Sequence, residues 1–307
     1  MLGWRLLFAA ILLALVGGGA FWLLTRPERL ELATLSALPE GDAGRGELVF
    51  WAGGCASCHA AEGAKDEEKL RLGGGRRLAS DFGTFVAPNI SSDPEDGIGA
   101  WTTADLANAM MRGVSPDGRH YYPAFPYTSY ARMDPADIAD LRAYLATLPA
   151  VQGRAPGHEL AFPFTLRRGV GLWKLAFLSD APVIAVDEAD PRLVRGRYLV
   201  EGPGHCGECH TPRNLAGGLE KSRWLAGAPN PEGKGRIPNI TPGGLDWSPG
   251  DIAYYLETGF TPEFDSVGGS MVAVQQNMAM LPAPDREAIA AYLGVVPAQA
   301  SSGSSGG

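Results

Sequence analysis

Two five-residue stretches constrain this chain more than anything else in it: Cys55-Ala-Ser-Cys58-His59 and Cys206-Gly-Glu-Cys209-His210. Each pattern suits covalent haem attachment. Two thiols three positions apart can form thioethers to the two vinyl groups of one porphyrin, and the histidine that follows comes up beneath the iron as proximal ligand. A Cys-x-x-Cys pair also serves as a disulfide, a redox dithiol or half of a zinc site. A zinc site would have to unite pairs 151 positions apart, and it leaves the histidine in both copies without a reason. The four cysteines of the chain are all consumed by the two motifs. The expectation is two covalently bound haem c groups.

A chain of 307 residues suggests about two domains. The formal charge of −8 argues against nucleic acid, whose phosphates need a basic face. An acidic soluble face can instead steer a basic protein partner. At the N-terminus, residues 6–24 carry no charge, enough for roughly 28 Å of helix. Trp4 and Trp22 sit near its ends, Arg5 precedes it, and Arg26, Glu28 and Arg29 follow. A cleaved signal peptide, with Gly18-x-Ala20 as a small-residue site, is the alternative reading. Signal-peptide apolar cores are usually shorter, so a retained anchor over residues 1–29 is expected. Covalent haem attachment in bacteria takes place outside the cytoplasmic membrane. The reading is therefore a single-pass inner-membrane protein with everything after Pro27 in the periplasm.

The rest of the chain reads as helices joined by loops. Asp42 is a plausible N-cap for a helix reaching Trp51, and Thr102 or Thr103 caps another that Gly113 ends. Residues 134–145 open with Asp and Pro, which suits a helix start. Residues 150–190 hold no haem motif and read as a linker containing a short amphipathic helix, or else as a partner-docking surface. Then the pattern starts again. Arg195-Gly-Arg-Tyr-Leu-Val-Glu201 parallels Arg45-Gly-Glu-Leu-Val-Phe-Trp51, and Pro238-Asn-Ile240 parallels Pro88-Asn-Ile90. Trp101 and Trp247 each lie 12 residues before a glycine, Gly113 and Gly259. This is an internal duplication of a unit of about 110–120 residues. The expected divisions are an anchor (1–29), a first haem domain (30–150), a linker (151–190), a second haem domain (191–297) and a flexible tail (298–307).

Several motifs then carry a resemblance: Ala87-Pro-Asn-Ile90, Gly97-Ile-Gly-Ala-Trp101 and Gly118-Arg-His-Tyr-Tyr-Pro-Ala-Phe-Pro-Tyr127 in the first half. In the second half they are His205-Cys-Gly-Glu-Cys-His-Thr-Pro-Arg213, Pro238-Asn-Ile-Thr-Pro242 and Gly268-Gly-Ser-Met271. With the two haem motifs, they make the chain resemble membrane-anchored dihaem class I cytochromes c. More narrowly, it is similar to the cytochrome c subunits of membrane-bound alcohol, aldehyde and gluconate dehydrogenases. Those subunits usually carry three haems; this chain has two attachment motifs. The resemblance implies an all-α fold of two tandem class I domains behind a transmembrane helix. It implies that Pro88, Asn89, Trp101, Pro238, Asn239 and Trp247 surround the haems. Pro88 and Pro238 would offer a carbonyl to the histidine's other nitrogen. The tryptophans would pack near the porphyrin, ordinary core packing being the alternative.

The sixth iron ligands come out unequal. Twelve residues after Gly259 lies Met271, where class I cytochromes place the distal methionine, but twelve after Gly113 lies Phe125, which cannot bind iron. Met133 is the expected substitute for the first haem, with a packing role as its alternative. His120 or an open distal face are the other possibilities. Met110 and Met111 read as core, and Met278 and Met280 as minor rivals of Met271. The expected ligand pairs are His59 with Met133 and His210 with Met271, and no catalytic residue is expected. His/Met ligation leaves no open position, so one-electron transfer follows. The expected role is a membrane-tethered relay between a periplasmic dehydrogenase or other respiratory donor and a terminal oxidase or quinone site. The rival is a haem enzyme of dihaem peroxidase or thiosulfate dehydrogenase type, using an unusually ligated first haem.

Overall fold

In the computed structural model, residues 2–230, 233 and 235–300 are described. The Ser/Gly segment at 301–307, read above as part of a flexible tail, lies outside them. Helix α1 (Leu2–Leu24) comes first, and its stretch Gly3–Leu24 is long and apolar enough to cross a membrane, with none of it buried against the rest of the chain. A short α2 (Leu32–Ser36) leads to α3 (Ala43–Ala52), the motif helix α4 (Cys55–His59), α5 (Thr103–Arg112), α6 (Tyr127–Tyr130) and α7 (Pro135–Thr147). After α8 (Val170–Phe177) the series recurs as α9 (Pro191–Glu201), the motif helix α10 (Gly207–His210), α11 (Pro249–Thr258), α12 (Met271–Met278) and α13 (Ala283–Val295).

The helix starts have local causes. The Asp42 carboxylate accepts from the Arg45 amide at 2.8 Å, so the expected cap is in place. Thr102 with Asp105, and Ser248 with Asp251, form matching capping boxes for α5 and α11. Both helices stop at a left-handed glycine, Gly113 (φ 59°) and Gly259 (φ 79°).

The chain is helix-rich, but the expectation of an all-α fold needs a correction, because short strands are present. Strands β1 (Arg77–Ser80) and β2 (Gly83–Val86) form an antiparallel pair to which β3 (Glu159–Leu160) adds, and β4 (Ala228–Pro229) pairs with β5 (Arg236–Ile237). Both hairpins fill the stretch between a haem motif and its Pro-Asn-Ile segment. That stretch must double back over a short span, and ladder bonds satisfy backbone groups that no helix can use there. The extended run carries too little periodicity to be seen from sequence.

The duplicated Arg-Gly pairs explain the strongest packing. Helices α3 and α7 cross so closely that a Cβ on Gly46 would lie 2.0 Å from the Asp140 carbonyl oxygen; one on Gly196 would lie 2.0 Å from that of Ala288. The neighbouring arginines lock the same crossings, Arg45 to Asp140 at 2.7 Å and Arg195 to Asp285 at 2.8 Å. Replacement of Gly46 by alanine is expected to force α3 and α7 apart and to cost about 1–3 kcal/mol or more. Urea unfolding of the Gly46→Ala protein checks this; an unchanged midpoint would mean that the crossing can relax freely.

Residues 151–190 are packed against both halves. The Trp173 indole donates to the Ala216 carbonyl at 2.8 Å, and the Tyr122 hydroxyl donates to that of Phe164 at 2.7 Å. Arg168 stacks over the Trp22 ring at 4.0 Å and donates to the Thr25 hydroxyl at 2.9 Å. The chain leaving α1 is thus fastened to this middle segment.

Candidate functional site

In each copy a helix delivers the motif to the same surroundings. Gly54, at φ +58°, turns the chain from α3 into α4, a conformation that glycine adopts without strain. The i, i+3 spacing puts Cys55 and Cys58 on one face of the turn. Burial, and then the neighbouring Cys58, push the Cys55 thiol up to about 12; burial and Cys209 do the same to Cys206. Cys55 and Cys206 are thus held as neutral thiols, unlike the thiolate of a redox dithiol.

The histidines are held more tightly. His59 Nδ1 lies 2.8 Å from the Pro88 carbonyl oxygen, and His210 Nδ1 lies 2.9 Å from that of Pro238. A carbonyl only accepts, so Nδ1 carries the proton in both rings and Nε2 keeps its lone pair. Burial lowers both imidazole pKa values, opposed by the proline carbonyls, which keeps the rings neutral and able to donate to a metal. The frame around each ring is duplicated as well. The His59 carbonyl accepts from Gly74 and that of His210 from Gly227, each at 2.7 Å, while Ile90 donates to Leu72 and Ile240 to Leu225 at 2.9 and 3.0 Å.

This donor set fits haem: two thiols on one helical turn, at least partly accessible to a porphyrin, and an adjoining imidazole with Nε2 available, twice over. Among the described residues no three His, Cys, Asp or Glu side chains gather to hold a metal ion, so the two cysteine pairs do not combine into a zinc centre.

The other sequence-derived positions divide by what they touch. Asn89 donates to the Val151 and Gly153 carbonyls at 2.6 and 3.0 Å, and Asn239 donates to that of Gln299 at 2.8 Å. Their side-chain oxygens accept from the Ser91 and Thr241 amides, each at 2.9 Å. Both asparagines therefore tie the proline segment to the chain that leaves the last helix of each half. Trp101 and Trp247 are half-buried against the core, and Trp247 lies 5.2 Å from the Tyr255 ring.

Met133 is buried, immediately before the capping Asp134 of α7, while Met271 is half-buried at the first turn of α12. Backbone bonds set the register between halves: Tyr121 donates to Gly113, and Val267 to Gly259, each at 2.7 Å. In that register Met271 corresponds to Phe125. By the α7 and α13 caps, which stand two residues out of that register, Met133 corresponds to Leu281, the equally buried residue just before the capping Pro282. Met110, Met111 and Met278 are buried and Met280 is exposed. His120 donates through Nε2 to the Thr25 carbonyl at 2.8 Å, at the end of α1.

One arrangement had no signal in the sequence. The residue inside each motif is clasped by the other half. The Asn277 amide on α12 donates to the Ser57 hydroxyl at 2.8 Å. The Thr128 and Ser129 hydroxyls on α6 donate to the Glu208 carboxylate at 2.9 and 3.0 Å. Beside this clasp the Tyr130 ring meets the His205 ring at 5.7 Å, edge on. Burial, and then Cys55 and Cys58 nearby, raise the Tyr130 hydroxyl far above its ordinary pKa.

Comparison with known proteins gives a consistent picture. Residues 43–149 match the family model described as cytochrome c. A dihaem cytochrome c-type protein of Cereibacter sphaeroides is 58% identical over 294 residues, covering 96% of this chain and 99% of that one. The fructose dehydrogenase cytochrome subunit of Gluconobacter japonicus is 37% identical over 265 residues, 84% of this chain and 53% of the subunit. The cytochrome c subunit of the quinone alcohol dehydrogenase of Gluconobacter oxydans is 34% identical over 277 residues, 83% of this chain and 54% of the subunit. The chain thus spans nearly the whole of the first relative and about half of each dehydrogenase subunit.

Proposed function

From the premise that this chain belongs to the cytochrome c family, we propose that it is a membrane-tethered electron relay of two tandem class I domains with two haems. The observation that carries this reading is the doubled set of Cys-x-x-Cys-His residues, each histidine turned by a proline carbonyl so that Nε2 is available. A thioether-linked haem with His/Met ligation supplies one-electron oxidation and reduction at a six-coordinate iron. The protein's part is to hold the imidazoles neutral and oriented, and to set each pair of attachment thiols on one helical turn. Cys55, Cys58 and His59 would hold one group and Cys206, Cys209 and His210 the other, and Met133 and Met271 would supply the remaining iron ligands. Pro88 and Pro238 orient the histidines. Asn89 and Asn239 act through those prolines, and Trp101 and Trp247 pack beside the porphyrins.

The donor is a periplasmic dehydrogenase, a reading supported by the similarity to fructose and alcohol dehydrogenase cytochrome subunits. The acceptor is a terminal oxidase or a quinone site. An enzymatic reading has one observation in its favour, the phenylalanine at position 125 where the second half has Met271, and the ligand exchange described in the Discussion separates the two readings.

The tether is α1, with the haem-bearing residues on the periplasmic side of the inner membrane. Deletion of residues 1–27 behind a cleavable signal is expected to move the protein from the membrane fraction to the soluble periplasm with both haems kept. Finding the intact natural protein soluble, with an N-terminus near Phe21, would overturn the tether.

A further inference from the structure

A cavity of about 200 Å³ opens where α1 ends, lined by Leu24, Arg26, Glu28, Arg112, His120 and Lys174. Two features of its lining point to a ligand. Among the described residues, neither Arg26 nor Arg112 has an ion-pair partner, although both face this space. His120 is only 3% exposed, yet its Nδ1 has no hydrogen-bond partner. Because Nε2 donates to the Thr25 carbonyl, the neutral ring presents a lone pair at Nδ1, which calls for a donor. Burial of a polar atom left unpaired costs about 1–3 kcal/mol.

The location narrows the ligand. Leu24 is the last residue of the apolar helix, so the cavity lies at the level where hydrocarbon gives way to headgroups. The adjoining segment presents Phe162, Leu166, Leu172 and Leu175 outward, all exposed, while Arg168 lies over the Trp22 ring. An apolar surface with cations at its rim suits the edge of a bilayer. Lys174 is already engaged, donating to the Arg112 and Gly113 carbonyls at 2.6 and 2.7 Å, and burial pulls its ammonium down to about 7, so the two arginines carry the cavity's fixed positive charge.

We propose that this cavity seats the headgroup of an anionic phospholipid of the phosphatidylglycerol class. The phosphodiester lies between Arg26 and Arg112, a glycerol hydroxyl donates to His120 Nδ1, a second donates to Glu28, and the acyl chains run beside Leu24. The inference rests on the membrane tether proposed above. A choline headgroup has no hydroxyl or N–H to donate and leaves His120 unpaired.

The test uses full-length holoprotein in detergent, titrated with phosphatidylglycerol, phosphatidylcholine or water-soluble glycerophosphoglycerol, with bound lipid counted by native mass spectrometry. Phosphatidylglycerol is expected to bind in preference to phosphatidylcholine. The Arg26→Gln/Arg112→Gln protein should lose roughly thirty-fold in that affinity, at about a factor of five per basic residue. Lys65→Gln, an exposed charge elsewhere, should change nothing. Unchanged haem spectra in the double variant exclude misfolding. Equal binding of the two lipids, retention of affinity in the double variant, or equal competition by glycerophosphoglycerol would each overturn the proposal. A carbonate wash of native membranes reads the tether separately: release of the protein sinks the tether, whereas retention without lipid preference sinks only the headgroup site.

Discussion

Replacing Cys206 and Cys209 with alanine is expected to remove one of two covalent haems, halving the haem absorbance per polypeptide while haem staining on a denaturing gel persists. The expectation follows from chemistry and not from stability alone. The thioether carbons have no other sulfur to meet, since the remaining cysteines belong to the first motif. His210 could still offer Nε2, its Nδ1 being turned to Pro238, so some haem could bind without a covalent link and would leave in denaturant. The Cys55→Ala/Cys58→Ala protein should lose the other group and keep the second. Packing makes the loss felt beyond the iron: the Trp224 indole lies directly against Gly207 inside the second motif, and Trp224 is buried with the core. The variant should therefore melt at a lower temperature as well. A single haem in the parent protein, by mass and by staining, would end the two-haem reading.

The second large effect concerns the distal ligands. Met271→Ala and Met133→Ala should each remove about half of the sulfur-to-iron charge-transfer band of the ferric protein. Each should lower one midpoint potential, by some part of the roughly 0.8 V range that axial ligands control. Met271 has the stronger warrant, because the Gly259–Val267 bond fixes its register and it sits half-buried at a helix start. Counted from the capping residues Asp134 and Pro282, Met133 corresponds to Leu281, an equally buried aliphatic residue; core packing alone tolerates such an exchange, so the Met133 substitution is the deciding one. If Met133→Ala leaves the band and both potentials as they were, the first haem is ligated otherwise. Peroxide or thiosulfate turnover by the parent protein would then make it an enzyme.

What could be read from sequence was local or repeated. Asp42 and Thr102 were legible because a cap is decided within four residues. The Gly113 stop was legible for the same reason. The role of the Arg-Gly pairs was not, although both were noticed as a repeat: that Gly46 and Gly196 are backbone contact points depends on partners at 140 and 288. The hairpins were missed because β4 and β5 span two residues each, too short for any alternation to register. Asn89 and Asn239 were placed with the haems by resemblance, but their amides hold backbone near the Pro-Asn-Ile segments. The bond between Ser57 and Asn277 spans 220 positions, and no pattern in one chain announces such a pairing.

That reciprocal clasp bears on kinetics. With Ser57 held from α12, Glu208 held from α6, and the Tyr130 and His205 rings in contact beside them, the two motifs cannot drift apart as beads on a tether would. With a haem on each motif, passage of an electron between them would be a first-order event within a single molecule. Its rate should be indifferent to dilution and to ionic strength, both of which slow a carrier that must find its partner by diffusion. Only the entry and exit of the electron would remain collisional.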